Sequence, residues 1–191
     1  MHGTHLSDAD VAAVGAAGAH VVMCPTTEAD LGDGIGPARR LADAGARIAL
    51  GSDQNAVVDP FLEMRGLEAG ERLASGRRGC FDPAALAGAA GAGGYAALGL
   101  GSHALAVGDH CDLVEVDTAS IRTAGSALAQ LPLSATAADV RRVVVAGRVV
   151  ADGGILVGAG DGTGTAGTDP ATLLRSAIAA VDGVAAREES R

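Results

Sequence analysis

Apolar residues in the first half of the chain fall into short solid runs and longer periodic ones, separated by Gly, Pro and acids. His20-Val21-Val22-Met23-Cys24 and Arg47-Ile48-Ala49-Leu50 have the length of buried strands, the first stopped by Pro25 and the second by Gly51. Ser7-Asp8-Ala9-Asp10 predicts the cap of a helix through Ala17, ended by Gly18. Thr26 to Gly36 reads as a polar loop, after which Pro37 opens a helix that Gly45 closes. Pro60 to Leu73 predicts a third helix, with Leu62 and Leu67 sorting onto a different face from Glu63, Arg65, Glu68 and Arg72. Pro83 to Leu98 predicts one more, weakened by Gly88, Gly91, Gly93 and Gly94. Helix and strand alternating across short connections is the order of parallel βα units. Strands this uniformly apolar are expected to be covered on both faces.

After Gly99 the texture changes. Leu105 to Asp117 reads as a turn entering a strand, and Val140–Val145 with Arg148–Val150 flank Ala146-Gly147 as a two-strand pattern. Residues 158–168 have the composition of a flexible linker. Residues 169–191 are expected to hold a last helix, from Pro170 to about Val181, and a frayed tail.

Composition narrows the function classes. The chain has 191 residues, 48% of them hydrophobic, which excludes a disordered protein. It is poor in aromatics and rich in Gly and Ala, so its core buries little area per residue. A formal net charge of -9 argues against nucleic acid or an anionic membrane as partner. No apolar run approaches the roughly 20 residues of a membrane span, and no signal peptide is visible. Cys24, Cys80 and Cys111 are odd in number and lack CxxC spacing, which suits reduced thiols in the cytoplasm.

Candidate chemistry centres on Leu50-Gly51-Ser52-Asp53. A strand that stops at a tight turn and carries an acid at its carboxyl end places Asp53 where α/β barrels keep their reacting groups. The competing reading is a turn-capping acid. His2-Gly3-Thr4-His5 at the amino end adds imidazoles, but the sequence contains neither His-x-His nor His-x-x-Glu.

Taken in order, His2-Gly3-Thr4-His5-Leu6, Cys24-Pro25-Thr26-Thr27-Glu28-Ala29-Asp30-Leu31-Gly32-Asp33-Gly34 and Gly51-Ser52-Asp53 resemble the amidohydrolase superfamily. More narrowly they are similar to the carboxyl-terminal half of the formimidoylglutamate deiminases. Leu67-Glu68-Ala69-Gly70-Glu71-Arg72-Leu73, Arg122-Thr123-Ala124-Gly125 and Ala137 to Val145 extend the likeness. The resemblance implies an α/β fold: residues 1–100 as the carboxyl-terminal part of a (β/α)8 TIM-like barrel (strands six to eight and their helices), and residues 101–157 as a small β-sandwich segment. It implies hydrolysis of N-formimino-L-glutamate to N-formyl-L-glutamate and ammonia, in histidine degradation. Asp53 matches the eighth-strand Asp, a zinc ligand and proton acceptor. His2 matches the sixth-strand His that contacts the attacking water or substrate and steadies the tetrahedral intermediate.

The same resemblance implies one zinc ion, whose bound water would ionise near pH ~7, a small-molecule substrate, and a homodimer in the full-length form. Other metal ligands of the family would lie on strands one to five. The chain is therefore expected to be a truncated product, inactive alone. Alternatives are another amidohydrolase, such as a guanine or cytosine deaminase or a chlorohydrolase, or a non-catalytic module that pairs with a partner. Of the remaining residues, His5 is expected to hydrogen-bond near the helix cap, His20 to be a satisfied strand-edge histidine, and Glu28 and Asp33 to be solvated on a rim loop. Cys24 and Cys111 are expected to be buried, and Gly32 and Gly34 to shape the loop. Asn55 stands where relatives usually have His, which bears on support of the site.

Overall fold

The computed structural model describes residues 2–101, 106–157 and 169–188. The expected linker at 158–168 lies outside them. The chain divides into two compact units. Residues 1–109 and 118–139 form the first, and residues 110–117 and 140–191 the second.

In the first unit, helix α1 (Asp8–Ala16) starts at a reciprocal cap, in which Asp10 N–H donates to Ser7 Oγ while Ser7 N–H donates to the Asp10 carboxylate. His5 takes no part in this cap and is exposed, contrary to the hydrogen-bonded role expected of it. Strand β1 (His20–Met23) follows. The stretch read as a loop then begins with a helix, α2 (Pro25–Asp30). Pro25 at the first helical position marks that start, but six residues are too few to display a hydrophobic period. Helix α3 (Ala38–Ala44) closes at Gly45 (φ 109°), and strand β2 (Arg47–Leu50) pairs with β1 in parallel, His20 opposite Arg47 and Met23 opposite Leu50.

Helix α4 (Pro60–Ser75) is capped by Asp59. The single helix expected over residues 83–98 is two, α5 (Pro83–Ala90) and α6 (Ala92–Ala97), broken where Gly91 leaves helical geometry. Strand burial alternates. Val21, Met23 and Ala49 are buried while the residues between them are half-buried, so among the described residues the expected cover on both faces is absent. The core gathers Val11, Val21, Met23, Leu41, Met64, Leu67, Phe81 and Leu86.

Residues 118–139 also belong to this unit, so the division falls elsewhere than at residue 100. The Arg65 guanidinium donates to the Leu133 carbonyl on the short helix α7 (Leu131–Ser134), and the Ala137 N–H donates to Asp59 Oδ2 at 2.9 Å. Buried Asp139 closes the segment by accepting from Arg122, Ser120 and Thr136.

The second unit holds a four-stranded antiparallel sheet of β3 (Leu113–Val116), β4 (Val140–Val145), β5 (Arg148–Asp152) and β6 (Ile155–Leu156), in that spatial order. Ala146 (φ 50°) and Gly147 (φ 75°) form the two-residue turn between β4 and β5, both left-handed as a tight hairpin demands. Cys111, expected to be buried, is exposed. The last helix, α8, runs over Pro170–Glu188, longer than expected. No helix among the described residues is long and apolar enough to cross a membrane.

Candidate active site

Asp53 sits one turn beyond β2. The Gly51 N–H donates to the Met23 carbonyl at 3.0 Å, so strand pairing persists into the turn before the chain bends away. Asp53 then takes a left-handed backbone conformation (φ 41°), uncommon for a residue with a side chain and held by its surroundings. Those surroundings are on α2. Thr27 Oγ lies 3.4 Å from both the Ser52 carbonyl and the Gln54 N–H, and Asp30 accepts from the Gln54 side-chain amide at 2.8 Å. The residues on either side of Asp53 are thus fastened to α2.

His2 reaches the same place from the other side of β1. Its N–H donates to the Val22 carbonyl at 2.8 Å, which lays it along the free edge of that strand, and its backbone is also left-handed (φ 61°). Its Nε2 lies 3.5 Å from Asp53 Oδ2 and its Nδ1 lies 3.3 Å from Glu28 Oε1. The structure therefore brings together the two residues singled out from the sequence, each about a quarter exposed, at the carboxyl ends of β1 and β2.

Glu28 is the residue that sequence reasoning misplaced. Expected to be solvated on a rim loop, it is 5% exposed. Its Oε1 accepts the Cys24 N–H at 2.8 Å, returning from α2 to the residue before the helix. That reach-back needs a helix start, and Pro25-Thr26-Thr27-Glu28 carries the signal for one. Asn55, also left-handed (φ 57°), accepts from the Ser52 hydroxyl through Oδ1 at 3.0 Å and so helps shape the Asp53 turn. Beneath the pair, Cys24 is buried. Burial pushes its thiol up to about 11, with the Asp53, Glu28 and Glu63 charges adding to the effect, so it is a neutral packing group rather than a thiolate.

His20, expected to be satisfied, has its Nδ1 buried with no hydrogen-bond partner. It lies at the amino end of β1, the opposite end of the strand from His2. Two cavities, of about 410 and 200 Å3, border this region, but neither is lined by His2 or Asp53.

A catalytic zinc takes three protein ligands and a water. Among the described residues no group of three or more His, Cys, Asp or Glu side chains is placed to hold a metal ion. His2 and Asp53 are two donors, and Glu28 is committed to Cys24 and His2. The described residues of this chain therefore do not by themselves fit a zinc ion.

The profile of the Amidohydrolase family matches residues 1–150. Formimidoylglutamate deiminase of Pseudomonas aeruginosa is 41% identical over 165 residues, covering 80% of this chain and 36% of that protein. A 5-methylthioadenosine/S-adenosylhomocysteine deaminase of Halobacterium salinarum is 32% identical over 154 residues, covering 78% of this chain and 36% of its own length. Among solved structures, an adenosine deaminase from Xanthomonas campestris with bound zinc superposes with a TM-score of 0.83 at 27% identity, over 97% of this chain and 42% of that one. The chain thus spans about a third of the length of the curated relatives it matches.

Proposed function

Because the chain belongs to the amidohydrolase family, we propose that it carries one part of a hydrolytic deaminase centre, acting on the C–N bond of N-formimino-L-glutamate. The observation that carries this reading is the approach of His2 Nε2 to within 3.5 Å of Asp53 Oδ2 at the ends of two parallel strands. The choice of substrate rests on the 41% identity to the Pseudomonas deiminase, against 32% for the nucleoside deaminase.

In this reading Asp53 is the base. It takes one proton from water as the oxygen adds to the formimino carbon and passes it to the nitrogen. As the C=O forms and the C–N bond breaks, it relays the adduct's hydroxyl proton to the same departing nitrogen. The products are N-formyl-L-glutamate and ammonia. His2 contacts the same water and orients it. Thr27 and Asp30 hold the turn on which Asp53 stands, because a base displaced by an ångström loses much of its effect. The described residues bring together too few ligands for a metal, and in this reading the chain is inactive alone. Its residues act when the remaining donors of the family's centre are supplied.

The test is complementation. The purified chain is mixed or co-expressed with the region of the Pseudomonas deiminase that lies outside its match to this chain, and ammonia release is measured on three substrates. Release from N-formimino-L-glutamate, lost in Asp53→Asn, is the expected result. Release from 5′-methylthioadenosine or S-adenosylhomocysteine instead would move the chain to the nucleoside deaminases, the second reading, which the Halobacterium relative favours. Deimination by the chain on its own would overturn the proposal that it is partial.

A further inference from the structure

We propose that Glu28 is a positioning residue that sets the tautomer of His2, keeping the proton on Nδ1 and leaving Nε2 as the accepting nitrogen that faces Asp53. The proposal rests on the reading of His2 and Asp53 as the pair that handles the attacking water.

An ionised carboxylate only accepts hydrogen bonds. Glu28 is 5% exposed, sits in the first turn of α2, and spends Oε1 on the Cys24 N–H at 2.8 Å, so it is fixed in place. His2 is fixed as well, by its N–H to the Val22 carbonyl. With both partners anchored, the 3.3 Å approach of Nδ1 to Glu28 Oε1 becomes a hydrogen bond when the proton sits on Nδ1. In a neutral imidazole the other nitrogen is then an acceptor. That nitrogen meets Asp53 Oδ2, a second acceptor, at 3.5 Å.

Two acceptors so close have no hydrogen bond to make with each other. A single molecule with two polar hydrogens, lying off the line between them, satisfies both. Water fits that description, and so does the NH2 group of an amidine or of the tetrahedral adduct formed from one. Glu28 thereby turns His2 from a residue that would compete with the substrate's donors into one that receives them. This assigns the Thr-Thr-Glu-Ala-Asp run a positioning role: Thr27 and Asp30 fasten the Asp53 turn, and Glu28 fixes the ring opposite it.

The test reads the ring nitrogens directly, in the 191-residue chain labelled with 15N-histidine and held in alkaline buffer, with His2 assigned through His2→Gln. Long-range 15N–1H spectra are expected to show His2 with Nδ1 protonated. Glu28→Gln keeps a carbonyl oxygen where Oε1 lies and is expected to preserve that pattern, and Asp53→Asn to leave it unchanged. Glu28→Leu is expected to shift His2 to the Nε2-protonated form. The proposal is overturned if the unsubstituted chain already holds its proton on Nε2, or if folded Glu28→Leu keeps it on Nδ1. Should Glu28→Leu fail to fold, the spectra of the unsubstituted chain and of Glu28→Gln decide. Deaminase activity plays no part in the readout, so this proposal and the proposed reaction fail separately.

Discussion

A Cβ built on Gly15 would fall 2.4 Å from the Cβ of Ala44, so α1 and α3 touch backbone to backbone at this point. Gly88, within α5, has nothing within 4 Å of the same construction. Both glycines weaken their helices by roughly 0.5–1 kcal/mol relative to alanine, yet the substitution should act in opposite senses. Gly88→Ala is expected to raise stability by about 0.5–1 kcal/mol. Gly15→Ala is expected to lower it by about 1–3 kcal/mol, because the helices must separate. Urea titration of the two variants beside the parent chain checks the pair.

Glu63 and Glu68, expected on a different face of α4 from Leu62 and Leu67, are buried, and so is Glu71. Each holds the backbone of another segment. Thr26 N–H donates to Glu63, Phe81 and Gly79 N–H to Glu68, and Arg39 N–H to Glu71. Glu68→Leu strands the buried Phe81 N–H, while the exposed Gly79 N–H can turn to water, so a loss of about 1–3 kcal/mol is expected. A loss under about 0.5 kcal/mol in equilibrium unfolding, the usual size for a surface position, would contradict this account.

Acid should weaken the first unit through Asp139. The Arg122 guanidinium and the Ser120 hydroxyl, with Thr136 adding, hold its carboxyl far below the usual range. Burial pushes Glu68 up, but the Phe81 N–H, Arg72 and the Gly79 N–H outweigh it, so Glu68 is lowered too. Groups whose folded-state values are depressed lend full stability above their unfolded values, roughly 4, and lose it as the pH falls further. Unfolding midpoints are expected to drop below pH ~4. Asp139→Asn should start lower and flatten that part of the profile.

Alkylation should separate the thiols. Cys24 is buried with its thiol raised to about 11, while Cys111 is exposed. Iodoacetamide at neutral pH is expected to modify Cys111 well before Cys24, as read by peptide mass spectrometry. Early labelling of Cys24 in the native chain would show that the floor beneath His2 and Asp53 is open.

What the sequence carries by itself is local. Arg47–Leu50, the Ser7 cap, the helix opened at Pro60 and the turn at Ala146-Gly147 each follow from residues within a few positions of one another. Backbone preference, caps and left-handed turns act over that range. The motif order was legible for the same reason, since family likeness is carried by residue identity.

The destination of the acids was not legible. Glu28 and Glu68 look like surface charges until Cys24, Phe81 and Gly79 present N–H groups to them, and partners up to 13 positions away are set by packing rather than by the adjoining sequence. The meeting of His2 with Asp53, 51 residues apart in the chain, is of that kind: β1 and β2 had to pair in parallel, and His2 had to dock on the edge of β1, before an imidazole and a carboxylate could face one another. Only the tertiary structure decided this, because it depends on how the segments pack together and no single segment contains it.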